Sequence, residues 1–185
     1  MAPASGVRQP NEYNYQLTGG VMPYALKALS GLGLVLMMSG HAAAQGLVTQ
    51  RNLSLAMAKT IAEATLAECK AKGFHTAAAV VDRAGQILVI LRDEQATAQV
   101  AEMARRKAYT ARMFRTTTME FQKRTLNEPA IAAQRDIADI LALAGGVPIK
   151  VGEDTIGGVG SAGSNLEADD GCAKAGIAKV ADLLK

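Results

Sequence analysis

Residues 76–92, TAAAVVDRAGQILVILR, constrain the fold more than any other stretch of the chain. Two short runs, Thr76–Asp82 and Gln86–Arg92, are apolar almost throughout and are separated by Arg83-Ala84-Gly85. Runs of this length around a glycine-containing turn predict an antiparallel β-hairpin. Because they are continuously apolar rather than alternating, the resulting sheet is expected to be covered on both faces. A second hairpin is predicted further on. There Gly145-Gly146-Val147-Pro148 forces a turn, Ile149-Lys150-Val151 and Thr155–Ser161 form the strands, and a second turn joins them.

The covering layers are helical by period. Thr49 is placed to cap a helix running to about Lys72, with Leu53, Met57, Ile61 and Ala64 on one face and Gly73 at the stop. From Ala98 to Phe114 the period returns through Val100, Met103, Ala104, Ala108 and Ala111, with Arg106 and Lys107 expected to flank that stripe. Thr116-Thr117-Thr118 breaks the pattern, and a short helix follows at 119–126. Residues 130–142 are compatible with another helix, and a last one is predicted from Glu167 to Leu184. No internal repeat or linker divides these elements, so the expectation is a single α/β domain of the α+β kind.

Composition says what fills it. Aromatic residues make up 4% of the chain and Trp is absent, so the core must be Ala, Val, Ile, Leu and Met. Small side chains suit helices packed closely on a sheet and are poor material for stacking bases. The net charge is +3, but the densest basic cluster, Arg105-Arg106-Lys107, follows Glu102 and reads as a solvated helix face. No basic stripe or reading module accompanies it, which excludes a nucleic-acid partner.

Residues 1–44 read as an address. Lys27 precedes an apolar stretch of 11 residues, Ala28–Met38, and Ala42-Ala43-Ala44 supplies the small-x-small pattern of a signal-peptidase site. The stretch is too short for a spanning helix, which needs about 20 residues. Met22 would serve as a start as well as Met1, and in either case the mature domain is expected at 45–185, periplasmic or secreted and without a membrane span. An oxidising compartment permits a disulfide between Cys69 and Cys172; two buried, unbonded thiols are the equal alternative.

The letters of Gly158-Val159-Gly160-Ser161-Ala162-Gly163 match the dinucleotide fingerprint, but the context does not. Only 22 residues follow, and the next helix opens with Glu167, Asp169 and Asp170, which would repel a pyrophosphate. These glycines are read instead as positions where the backbone approaches a neighbouring subunit or a flat ligand. His75 is the one histidine left after cleavage, since His41 lies in the signal. A single imidazole is too little for a zinc site and sufficient as an axial haem ligand, with an ordinary histidine at a strand start as the alternative; Tyr109, Met57, Met103, Met113 and the two cysteines are the other possible axial ligands. Arg106, Lys107 and Tyr109 fall within one helical turn. They are candidates to clamp a carboxylate, with solubility or a subunit salt bridge to Asp169 or Asp170 as the alternative.

Five segments in order, VVDRAGQIL, ARRKAYTARMF, GGVPI, IGGVGSAG and DDGCAKAGI, resemble the GlcG/HbpS family over roughly Leu47–Lys185. The resemblance implies a profilin-like antiparallel sheet of about five strands flanked by helices, and assembly into homo-oligomers, often octamers. Its members include extracellular haem-binding proteins, a domain appended to cobalamin adenosyltransferases, and proteins encoded beside glycolate oxidation genes. The positions matching its motifs are Arg106, Lys107, Thr110, Gly146, Pro148, Gly158, Gly160, Gly163 and Asp170. By analogy they place a ligand cleft between the Arg106–Thr110 helix and the two glycine loops. The implied function is an exported protein that binds haem or another tetrapyrrole, with His75 as candidate iron ligand. The rival readings are an enzyme or accessory acting on a small carboxylate such as a 2-hydroxy acid, and an oligomeric scaffold whose glycine loops only pack subunits.

Overall fold

The computed structural model describes Gly46 and residues 48–185 of the chain. The signal peptide expected at 1–44 lies outside the described residues. Four helices and four strands follow in chain order: α1 (Leu55–Ala71), β1 (Ala77–Val81), β2 (Ile87–Arg92), α2 (Gln99–Phe114), α3 (Thr118–Asn127), β3 (Gly146–Val151), β4 (Asp154–Ala162) and α4 (Leu166–Ala178). Short 3-10 turns occupy Pro129–Asp136 and Ala181–Leu183. The strands form one antiparallel sheet in the order β2-β1-β4-β3. The profilin-like layering that the family resemblance implies is present, with four strands among the described residues in place of about five.

One face of the sheet carries α1 and α4. Ala58, Ile61 and Ala62 of α1 and Ala173 of α4 meet Ala78, Val80, Val147, Ile149 and Val159 in the main core. The other face carries α2, whose Val100, Ala104 and Ala108 pack on Ala77, Ala79, Val81 and Ala162. Every residue of β1 is buried, as a strand covered on both sides must be. The expectation of full cover fails at β2. It is an edge strand only partly covered, and its Ile87 and Ile90 are exposed.

Several boundaries differ from the sequence expectation, each for a local reason. The N-cap of α1 is Ser54, whose hydroxyl accepts from the Met57 amide at 3.1 Å, and Thr49 lies in the irregular segment before it. The helix ends as expected at Gly73, which takes φ +80°. There the Gly73 and Phe74 amides bond back to Lys70 and Cys69 in a Schellman arrangement. Gly146, Val147 and Pro148 belong to β3 rather than to the turn before it. Proline is tolerated there because β3 is the other edge of the sheet. In place of a helix at 130–142 there is a 3-10 turn, and α4 stops at Ala178.

Candidate functional site

Arg106, Lys107, Tyr109 and Thr110 share a turn of α2 but leave it in different directions. The Arg106 guanidinium donates to the Ile140 carbonyl at 2.6 Å. Thr110 is buried, donating to the Arg106 carbonyl and accepting from the Leu141 amide at 2.9 Å. Together with an Arg105–Asp139 ion pair at 2.6 Å, these contacts tie the 137–141 segment across α2. Tyr109 lies over the β1–β2 turn, close enough that a side chain on Gly85 would strike its ring.

Lys107 does not flank the apolar stripe as expected; it belongs to it, at 1% exposure. Its ammonium donates to Asp169 Oδ2 at 2.7 Å and to the Ser161 carbonyl at 2.9 Å. The other oxygen of Asp169 accepts from the Ser164 hydroxyl at 2.7 Å and its amide at 3.2 Å. Burial pulls the Lys107 pKa below its ordinary value, and the attraction of Asp169 works against that shift. The salt bridge expected between subunits is formed instead within the chain, and its partner is Asp169. Asp170 is also buried, with one oxygen bonded to Lys174 at 2.6 Å and the other without a partner.

The glycines show how closely this helix approaches the sheet. A Cβ on Gly160 would lie 2.1 Å from the Ala104 carbonyl, one on Gly158 2.4 Å from that of Ala108, and one on Gly146 2.3 Å from that of Lys107. The backbone of α2 rests directly on these positions, and Pro148 pairs with Gly158 at the sheet edge. The cleft expected between the Arg106–Thr110 helix and the glycine positions is therefore filled by helix–sheet contact. The neighbour that Gly146, Gly158 and Gly160 admit is the chain's own helix. Gly163, at φ +127°, plays the same part against the His75 carbonyl. Two open grooves lie elsewhere, one along Leu55–Glu63 of α1 and one along Glu120–Glu128, away from all these residues.

His75 stands apart, on the loop entering β1. Its side chain is 41% exposed, and its Nδ1 lies 3.0 Å from Asp93 Oδ1. Asp93 is itself buried. The same oxygen accepts the Gln95 amide at 2.9 Å, and Oδ2 faces Lys70 Nζ at 3.2 Å. The Gln95 amide above all, with Lys70 and His75, holds the Asp93 carboxyl below its ordinary pKa. Sequence reasoning missed Asp93, though the hairpin register carried a signal for it. Ala77 pairs with Arg92, so one step outward sets Thr76 against Asp93, and the Asp93 amide bonds the Thr76 carbonyl.

Among the described residues no group of three or more His, Cys, Asp or Glu side chains is placed to hold a metal ion. His75 supplies one imidazole, which is enough for a haem held at one axial position. Cys69 of α1 and Cys172 of α4 are bonded, which settles the open question of the thiols. No helix among the described residues is long and apolar enough to cross a membrane.

A single antiparallel sheet with two helices on one face and a close-packed helix on the other defines a class of small α+β domain with profilin-like layering. Comparison places the chain within it. The model of the family described as "Haem degrading protein HbpS-like" matches residues 53–178, and the chain belongs to that family. The crystal structure of HbpS is similar at 37% identity and a TM-score of 0.68, over 71% of this chain and 92% of that one. A double mutant of Streptomyces reticuli HbpS is similar at 36% identity, again with a TM-score of 0.68, over 71% of this chain and 89% of that one. The structure of a PduOC:heme complex, at 24% identity and a TM-score of 0.62 over 69% and 94%, shares the fold. A search of curated proteins finds no match.

Proposed function

We propose that the protein is exported, binds haem with His75 as the axial iron ligand, and sequesters the tetrapyrrole or hands it over. The observation that carries this reading is the half-exposed imidazole whose Nδ1 is engaged by Asp93, with Nε2 unbonded among the described residues. Family membership supports a haem-related role, and a neighbour of the same fold is a haem complex. Lys70, exposed beside the same carboxylate, has the charge a haem propionate requires. Export is supported by the disulfide, since such bonds persist in oxidising compartments. The reading includes a homo-oligomer, which the exposed Ile87 and Ile90 of the open edge strand support.

The carboxylate-binding alternative loses Lys107, which is committed to Asp169 and Ser161, and keeps only Arg106, which donates one N–H to the Ile140 carbonyl. Haemin titrated into the full-length protein is expected to give a saturable Soret shift that His75→Ala abolishes. A spectrum unchanged by the wild-type protein at high micromolar concentration overturns the haem reading. A shift that survives the substitution moves the iron contact away from His75.

A further inference from the structure

We propose that Asp93 is the positioning residue of the haem site, fixing the His75 ring with its proton on Nδ1 so that Nε2 is the atom offered to iron. The inference rests on the haem reading above and adds a residue that reading does not need. An ionised carboxylate has only acceptor sites, so a neutral imidazole facing it at 3.0 Å must donate from Nδ1. That choice leaves the lone pair on Nε2. Metal-binding histidines are commonly oriented in this way, with a carboxylate behind the ring fixing the tautomer and raising the basicity of the free nitrogen.

Asp93 is suited to the task because it is itself immobile. Its side chain is 6% exposed, its Oδ1 also accepts the Gln95 amide, and its own amide donates to Thr76 at 2.9 Å. The Thr76 bond is a continuation of the β1–β2 ladder. The carboxylate is therefore held by the sheet, and the sheet orients the imidazole through it. A loop histidine with exposure of 41% would otherwise sample both tautomers and several rotamers.

The test begins without haem. Imidazole nitrogen NMR on the full-length protein, with His75 signals identified by their loss in His75→Gln, reads the tautomer directly. The wild-type neutral ring is expected to carry its proton on Nδ1. Asp93→Ala is expected to return it to the Nε2–H form favoured by histidine in water. Asp93→Asn keeps an acceptor oxygen and the Gln95 bond, so it should retain the Nδ1 proton while losing the charge. Haemin affinity should then fall about 10–100-fold in Asp93→Ala, with Asp93→Asn between that and wild type. A wild-type ring protonated on Nε2, or a tautomer and affinity unmoved by both Asp93 substitutions, overturns the proposal. If His75→Ala abolishes haemin binding while both Asp93 variants behave as wild type, the haem reading stands and the positioning role falls. If the tautomer follows Asp93 but haemin never changes its spectrum, the haem reading falls and the orienting role is retained.

Discussion

Lys107 is a cation placed almost wholly out of water, and its environment decides what it does. Removing an ammonium from water costs several kcal/mol even after relaxation. That cost is offset only because Asp169 and the Ser161 carbonyl are both within hydrogen-bonding distance. Asp169 in turn is neutralised by the lysine and held by Ser164. Each partner is therefore costly alone. Asp169→Ala should lower unfolding free energy by about 3–5 kcal/mol, because it strands a buried charge. Lys107→Met combined with Asp169→Leu should cost clearly less than the single change. Urea denaturation of the two variants separates these outcomes; equal losses would show that the pair contributes through shape rather than charge. The same geometry explains why Lys107 is a poor candidate for outside ligands, since a carboxylate reaching it would have to displace Asp169.

At the scale of elements, the closest relation in the molecule is between α2 and β4. Alanines on the helix and glycines on the strand let the helix backbone descend until carbonyl oxygens lie where Cβ atoms would otherwise be. Gly160→Ala would place a methyl 2.1 Å from the Ala104 carbonyl, against the backbone of Ala104 and Ala108, so nothing flexible can yield. Such overpacking typically costs about 1–3 kcal/mol, occasionally more. A thermal or urea midpoint unchanged by Gly160→Ala would mean that α2 is free to lift. Much of this layer was legible in the sequence. The helical period over 98–114, both hairpins and the low aromatic content all pointed to small-residue packing. What the Gly158–Gly163 pattern could not reveal was its neighbour, because close approach looks the same in sequence whether the partner is a ligand, a subunit or the chain's own helix. Lys107 was misplaced for a related reason. Helical position alone reads a lysine as flanking the stripe, and only the placement of Asp169, a long way along the chain, makes burial tolerable. His75 was found because it was the sole candidate of its kind, whereas Asp93 required the hairpin register to be carried one pair past the last strand residue.

Across the whole molecule, one covalent bond connects the first described helix to the last. Cys69 and Cys172 are 103 residues apart, and the segment between them contains the entire sheet together with α2 and α3. Closing a loop of that length removes on the order of 4–5 kcal/mol worth of freedom from the unfolded chain. Reduction, or Cys69→Ala with Cys172→Ala, should therefore lower unfolding free energy by about that amount while leaving the fold in place, since α1 and α4 still share an apolar core. The bond is not isolated from the buried ion pair. Cys69 Sγ is 3.6 Å from the Ser161 hydroxyl, whose oxygen is 3.4 Å from Asp169 and whose residue carbonyl receives Lys107. Neighbours that share a polar network couple by about 0.5–3 kcal/mol rather than adding. A double-mutant cycle between the cysteine pair and Asp169→Ala, read by urea denaturation, should show that coupling. Strict additivity would mean that the disulfide acts only on the unfolded chain. Coupling would mean that it also holds Ser161 in register for the pair, so that reduction would loosen the packing of α2 and α4 from within.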